Sequence, residues 1–435
     1  MKKFLLGSSA LCLALGLSVA AVDNASAAQS KKPTLSISGQ VLATYHLFDN
    51  GNNNGVAHEK GHGGHFEMAD SFLAFMISGR MDQLLQTKYD WLVTLDGNTD
   101  KDNSAIVETN RLRLKGEWGT FMFGNHQGVE NFMARGAFGV MGATGGFDGN
   151  LFTVLNCPTG VFTGTDLVGA TKYATKATYV TPRVFGLQAG VSYTVNSEHR
   201  GEGKKSGPHN GTSKKTPGQP FSMNTWAAGV NFLHEFENGF GVALSATGIT
   251  ARTRTPSRRA LDTTRTFSYD PTSFVTLNQT LNRERVESYA LGAVFSFRGW
   301  ELGLEYLDNG DSREIRDTRL FASNGFGTVG EFNAGEAYSV ALSYTFGSDK
   351  VAAGYYHSER KYAGKDCDAT IYSVTYDRKL APGLSFFAEG NVAGMSTHED
   401  AVNFDNTLYQ ADKGFAKGVH GNNAKHVALG FKFKF

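Results

Sequence analysis

The sequence predicts an all-β chain that folds as a transmembrane antiparallel barrel of sixteen strands. Three observations lead to this fold class. The C-terminal residues HVALGFKFKF alternate apolar and polar side chains with a period of two. Similar alternating segments recur from Thr34 to the end of the chain. After Val22, no apolar run approaches the roughly 20 residues that a membrane-spanning helix requires.

The first element is a predicted signal peptide over residues 1–27. Two lysines precede a mostly apolar run at 4–22, and the small residues Ala25, Ser26 and Ala27 suit cleavage by a signal peptidase. We therefore expect an exported chain in which residues 28–435 form one barrel without a further domain boundary.

The strands come next, and all but the short segment at 119–125 have the length that lets a tilted strand cross a bilayer. In the first of them, Ile37, Val41, Ala43, Tyr45 and Leu47 are expected to face lipid. The sixteen predicted strands lie near 34–48, 68–81, 84–96, 105–116, 119–125, 172–182, 186–197, 224–236, 239–251, 285–298, 299–308, 335–347, 349–359, 368–379, 382–395 and 425–435.

The connections between these strands alternate in length. The short ones contain Gly, Pro, Asn or Asp, which tight turns require, and the long ones are polar. Short periplasmic turns and long extracellular loops are typical of outer-membrane barrels. An even number of strands also places both termini on the periplasmic side. The short connections lie at 79–82, 117–119, 181–186, 237–240, 298–300, 347–350 and 380–383.

The composition agrees with a barrel. The chain contains 52 Gly, only 9 Pro and 12% aromatic residues, and its mean hydropathy is −0.28. Alternating barrel strands make a chain polar on average yet rich in aromatic residues. The net charge of +1 gives no indication of a nucleic-acid partner, and we expect none. Cys157 and Cys367 lie far apart in the sequence, and we expect them to be unpaired.

Two stretches carry a family resemblance. The segment from Arg111 to Asn150 resembles the fourth strand, turn, fifth strand and third loop of Gram-negative general porins. The segment from Ala177 to Asn196 resembles the strand, Tyr-x-x-Pro turn and following strand of the same family. The resemblance implies a homotrimer in the outer membrane, with a third loop folded inward to narrow a pore for small hydrophilic solutes. The chain departs from better-known porins in its longer third and fifth loops and in the sparse acidic residues of loop three.

The alternation of the fourth predicted strand places a row of charges in the lumen. Leu112 and Leu114 face lipid, so Arg111, Arg113 and Lys115 face inward. Like charges on one face repel, so this face must be hydrated or opposed by carboxylates. The predicted basic wall of the pore constriction comprises Arg80, Lys88, Arg111, Arg113, Lys115, Lys172 and Lys176.

Loop three is expected to supply the acidic side of the constriction. Its candidate carboxylates are Asp148 as first choice, Glu130 as second, and Asp166. Opposed charges at the narrowest point orient polar solutes and set ion preference. The alternative is that these charges are scattered lumen residues in water with no single constriction role.

The chain ends on a strand that resembles the C-terminal strand of bacterial outer-membrane barrels. Its alternating aromatic residues, Phe431, Phe433 and Phe435, would form the assembly signal for the barrel assembly machinery. The basic loops at 197–215 and 251–265 would contact lipopolysaccharide phosphates through Lys and Arg, or would simply be solvated.

We expect neither an enzyme nor a cofactor or metal site. His58, His62 and His65 are loosely spaced and lack Cys or carboxylate partners in a rigid frame. Residues 201–207 do not have P-loop spacing, and no serine has a nucleophile-elbow context. Two other functions remain open beside a general diffusion pore. One is a substrate-selective channel that prefers anions, and the other is a structural or adhesive surface barrel.

Overall fold

The backbone forms one antiparallel sheet whose first and last strands pair, which closes the sheet into a barrel. The predicted all-β barrel is thereby confirmed. The computed structural model describes residues 32–51, 62–68, 70–81, 87–97, 107–155, 157–158, 160–197, 221–254, 283–314, 331–362, 364–397 and 421–435. The predicted signal peptide, His58 and most of the two basic loops lie outside these ranges.

The described residues form seventeen strand segments. They are β1 Thr34–Asn50, β2 His62–Glu67, β3 Phe72–Met81, β4 Thr87–Asp96, β5 Val107–Gly116, β6 Gly119–Asn125, β7 Thr175–Val180, β8 Leu187–Asn196, β9 Phe221–Glu235, β10 Gly241–Arg254, β11 Val286–Phe297, β12 Trp300–Asp308, β13 Glu336–Phe346, β14 Asp349–Tyr362, β15 Lys365–Ala381, β16 Leu384–Ser396 and β17 Gly421–Lys434.

The barrel nevertheless has sixteen strand positions, as predicted, because β2 and β3 share one of them. β2 pairs with the second half of β1, and β3 pairs with its first half. Asp70 lies between the two segments with a φ of 50°, which interrupts the strand. The second strand therefore begins at His62, earlier than the predicted start near residue 68.

The two faces of the wall differ as the alternation predicts. Large apolar side chains such as Ile37, Leu112 and Leu291 are exposed on the outside. Inward neighbours are mostly small or polar residues, such as Ala337, Ser339 and Thr375, and many of them are buried inside the barrel. An apolar exterior and a more polar interior are typical of barrels that cross a membrane.

Closure of the barrel depends on the C-terminal strand. Ala43 pairs with Phe431 and Val41 with Phe433, so the first and last strands lie side by side. The backbone groups of Gly39 and Phe435 exchange two hydrogen bonds, of 3.0 and 3.2 Å. Every backbone group in the bilayer needs a partner, and this pairing leaves no open edge on the described wall.

One connection departs from the predicted asymmetry of loops. β14 ends at Tyr362 and β15 begins at Lys365, so this connection on the long-loop side is a tight turn. Gly364 has a φ of 77°, which favours glycine, and its N–H donates to the carbonyl of Glu331 at 2.7 Å.

Loop three, defined here as residues 126–174, lies inside the barrel. It contains a short helix, α1 (Val129–Phe132), and three 3₁₀ turns at Ala137–Gly139, Gly146–Asp148 and Asn150–Thr153. Among the described residues, none of the helices reaches the length and hydrophobicity that a membrane-spanning helix requires.

A charge on the outer face should destabilise the barrel. Leu291 is 49% exposed near the middle of β11. We expect Leu291→Lys to lower the free energy of unfolding in liposomes by about 2–4 kcal/mol, because a lysine at mid-bilayer depth must be desolvated. Leu291→Met, which keeps the site apolar, serves as the control. Equal stability of the two variants would mean that this face meets water.

Candidate functional site

Two buried charged residues hold the base of loop three. Lys176 is 2% exposed, and its Nζ donates to the carbonyls of His126 and Lys172, the latter at 2.5 Å. Glu130 is 4% exposed and accepts from the N–H and hydroxyl of Thr171, at 3.0 and 2.9 Å. Each of these side chains joins the start of the loop to its end. The structure therefore sets both apart from the other predicted constriction charges, which are less enclosed.

The tip of loop three is clamped to the opposite wall. One carboxylate oxygen of Glu389 accepts from the N–H and hydroxyl of Thr144 and from the N–H of Gly146, at 2.8–3.2 Å. Asp377 accepts from the N–H of Ala143 at 2.7 Å, and Lys432 donates to the carbonyl of Ala143 at 2.7 Å. Charged partners make these hydrogen bonds stronger than neutral ones. Strands β15–β17 thus hold the tip.

Loop three also packs closely against small residues of the barrel wall. A Cβ at Gly292 on β11 would lie 1.5 Å from the carbonyl oxygen of Arg135, so only glycine fits there. Phe147 is fully buried and stacks on Tyr356 of β14, with 5.9 Å between the ring centroids. Apolar loop side chains therefore face β8–β16.

The basic wall lies on strands β3–β5. Arg80 pairs in register with Lys88, and Lys88 with Lys115, so three cationic residues form a row across three strands. Arg111 and Arg113 both bind Asp90 of β4, at 3.0 and 2.6 Å. The sequence placed Asp90 inward, and the structure shows that it bridges the two arginines. Two guanidinium groups on one carboxylate leave a net positive charge.

The exposed charges of loop three are Asp148, Asp166 and Lys172. Asp166 accepts from the amide of Asn131 at 2.7 Å and lies 3.3 Å from the ammonium of Lys172. Asp148 accepts a hydrogen bond from the hydroxyl of Thr165. Of the three predicted loop acids, Asp148 and Asp166 thus remain in the lumen, whereas Glu130 is enclosed at the loop base.

The surroundings of Asp148 favour its protonated form. Desolvation inside the barrel raises the pKa of Asp148 to about 6, and the nearby charge of Asp166 adds to this effect. The hydrogen bond from Thr165 and the charge of Lys172 oppose it. Asp148 therefore changes charge near pH 6.

Sequence reasoning missed three inward carboxylates beside loop three, Glu305, Asp377 and Glu389. Glu305 on β12 is buried, and it interacts electrostatically with both Asp148 and Asp166. The signal was present, because Leu304 and Tyr306 face outward and therefore turn Glu305 inward. Alternation places a side chain in the lumen, but it does not indicate whether a loop covers it.

The histidines and cysteines of the described residues do not form a metal site or a disulfide. No group of three His, Cys, Asp or Glu side chains within the described ranges is arranged to hold a metal ion. His46 and His426 hydrogen-bond each other at 2.8 Å, and His46 contacts Glu67 at 2.9 Å. Cys157 is exposed, Cys367 is buried, and both are free.

An inward-folded loop facing a basic wall inside a closed barrel defines a class of membrane channel proteins. A family model described as Gram-negative porin matches residues 10–395. The chain belongs to this Gram-negative porin family, as its sequence resemblance indicated, and is a protein of the outer membrane.

Solved structures share the fold. An anion-selective porin from Comamonas acidovorans is 14% identical, with a TM-score of 0.55, and the match covers 93% of this chain and 100% of that one. The trimer form of OmpT from Vibrio cholerae is 12% identical with a TM-score of 0.54 and the same coverage. At such identities the likeness concerns the fold alone.

Curated relatives match over a shorter length. An uncharacterized protein of Rickettsia felis is 24% identical over 240 residues, which is 50% of each chain. Another from Rickettsia conorii is 25% identical over 237 residues, or 50% of this chain and 49% of that protein. The chain thus spans about half the length of the curated relatives it matches.

Removing the carboxylate that clamps the loop tip should loosen it. We expect Glu389→Ala to lower the free energy of unfolding by roughly 1–3 kcal/mol and to increase open-channel current noise, because loop donors lose their buried acceptor. Glu389→Gln keeps an amide oxygen in that place and should have a smaller effect. Urea unfolding in liposomes and bilayer recordings measure the two quantities. Equal effects of the two variants would contradict the clamp.

The charge of Asp148 should depend on pH. Its raised pKa means that the side chain is largely neutral at pH 5 and ionised at pH 7.5. We expect the cation-to-anion permeability ratio to increase over this interval, measured as the reversal potential in a salt gradient. Asp148→Asn should lack that increase, and an unchanged titration in this variant would assign the effect to another group.

Proposed function

We propose that the barrel forms a water-filled channel for passive diffusion of ions and small hydrophilic solutes. One observation carries the proposal: loop three is held against strands β8–β17, and Arg80, Lys88 and Lys115 of the basic wall remain exposed. An inward loop narrows the lumen without closing it, and charges across the opening act on passing solutes. The protein is proposed to be a channel and not an enzyme.

The constriction is proposed to lie between the basic wall and the exposed loop acids. Its basic side comprises Arg80, Lys88, Arg111, Arg113 and Lys115, and its acidic side comprises Asp148 and Asp166. Lys172 lies on the loop beside Asp166, so it partly offsets the acidic side. Lys176 and Glu130 are proposed to act as loop anchors instead.

A preference for anions is the second candidate function. Five cationic side chains share the basic wall with the single carboxylate of Asp90, which supports a positive potential there. Above pH 6 the Asp148 carboxylate is ionised, and its negative charge counteracts this potential. A structural or adhesive barrel is the remaining alternative, and it would not conduct.

We further propose a homotrimer as the functional assembly. The OmpT structure from Vibrio cholerae is described as a trimer, and shared fold supports the same arrangement here. Lipopolysaccharide and the barrel assembly machinery are proposed partners. The outward rings of Phe431, Phe433 and Phe435 are exposed on the last strand and would be read by the assembly machinery.

Single-channel recording in a planar bilayer tests the proposed function. Purified protein should insert with a stable open current and close in steps of three if it is a trimer. A folded barrel that never conducts would exclude the diffusion channel and favour the structural role.

The basic wall should set ion preference. We expect Lys88→Gln combined with Lys115→Gln to shift the reversal potential toward cations, because two lumen charges are lost while the Asp90 bridge stays intact. Asp148→Asn at pH 7.5 should shift it the other way. An unchanged reversal potential in the double variant would remove these lysines from the constriction.

A further inference from the structure

A cavity of about 440 Å³ opens off the lumen between strands β4–β8 and the two ends of loop three. Its lining side chains are those that alternation turns inward, so the cavity belongs to the channel interior. Cavities of this size accommodate small molecules. Its composition departs from a plain water-filled passage in two respects.

The first respect is a fixed cationic pair on β5. Arg111 and Arg113 both line the cavity, and Asp90 holds them from one side. A guanidinium has five N–H donors, and each gives one to Asp90 among the described contacts. The remaining donors suit a planar carboxylate. His126 also lines the cavity but adds no charge near neutral pH, because burial and the charge of Lys176 lower its pKa to about 3.

The second respect is an apolar surface directly beside this pair. Leu92 is the cross-strand partner of Arg111, and Met122 is the partner of Arg113, and both line the cavity. Other inward apolar side chains, such as Leu307 and Ile371, are fully buried, whereas Leu92 and Met122 border open space. Loop three adds the aromatic rings of Phe132 and Tyr173 to the same lining. An apolar body and an anionic group thus find complementary surfaces a few ångströms apart.

We propose that this cavity is a binding site for small solutes that combine one carboxylate with an apolar, preferably aromatic, body. The carboxylate binds Arg111 and Arg113, and the body lies against Phe132, Tyr173 and the inward Leu92 and Met122. The inference rests on the proposed channel function, which it extends from general diffusion to retention of one solute class. Simple inorganic anions lack the apolar body and pass without being held.

Block of single-channel current by phenylacetate tests the site. The current should fall saturably as phenylacetate is added, whereas acetate and phenylacetamide, which lack the apolar body or the charge, should block at least about tenfold more weakly. Arg113→Gln should raise the half-blocking phenylacetate concentration about tenfold or more, because a charged hydrogen-bond partner is lost. Tyr173→Ala should weaken phenylacetate block and leave the effect of acetate unchanged.

Arg80→Gln is the matched control. It removes the same group from the basic wall, but Arg80 does not line the cavity. Its half-blocking phenylacetate concentration should stay within about threefold of the parent value. An equal increase in Arg80→Gln and Arg113→Gln would mean that the overall positive potential of the wall attracts phenylacetate, and this result would overturn the site. A channel that conducts normally but is blocked equally by phenylacetate and acetate would overturn the site and leave the diffusion function standing.

A protein that does not conduct would contradict the proposed function, and the site would then be tested by calorimetry. The full barrel in detergent should bind phenylacetate more tightly than phenylacetamide, and Arg113→Gln should abolish the difference. Absence of such a difference in the folded parent protein would overturn the inference by itself.

Discussion

The pairing of backbone groups within the bilayer is the constraint on which the rest of the structure depends. No water is present there to satisfy an open strand edge, so the sheet must close on itself. Closure requires β17 to pair with β1, and the register from Gln40–Lys434 to Asn50–Ala424 runs without interruption. Because that register fixes which residues face inward, it also determines which charges enter the lumen.

Closure creates an interior, and loop three occupies much of it. The wall accommodates the loop in two ways: small residues such as Gly292 let its backbone approach, and buried carboxylates such as Glu389 accept its N–H groups. Buried polar groups are unfavourable unless they are hydrogen-bonded. Inward polar residues of β8–β17 therefore provide hydrogen-bond partners for the backbone of the loop. On β3–β5, by contrast, Arg80, Lys88 and Lys115 remain exposed.

Alternation with a period of two was sufficient to predict the barrel, the strand number and the inward charges of β5. It assigned Arg111 and Arg113 to the lumen, and both line the cavity there. It did not reveal the break at Asp70, because one left-handed residue leaves the hydrophobic pattern on either side intact. The tight turn after Tyr362 was also missed, since the strands there continue beyond the apolar band.

The path of loop three could not be derived from the sequence. The burial of Lys176 and Glu130 depends on contacts between residues about 40–50 positions apart, and such contacts leave no periodic trace. Both residues satisfy the pattern of lumen charges equally well as exposed or as buried groups. From the sequence, Glu389 is likewise expected to be a lumen charge, and only the position of the loop tip shows that it binds the loop.

Disulfide trapping of the loop tip tests the central claim, that the tip of loop three is fixed to the inner wall at strands β15–β17. A Cβ at Gly142 would lie 3.1 Å from the hydroxyl of Thr375, so Gly142→Cys with Thr375→Cys should cross-link on oxidation once the carboxylate of Asp377 moves aside. Met133→Cys with Gly229→Cys, near the loop base, is the control, with Cβ atoms 3.4 Å apart. We predict that both disulfides form and that conductance is preserved. Formation of the base disulfide without the tip disulfide, in a folded conducting barrel, would contradict the account.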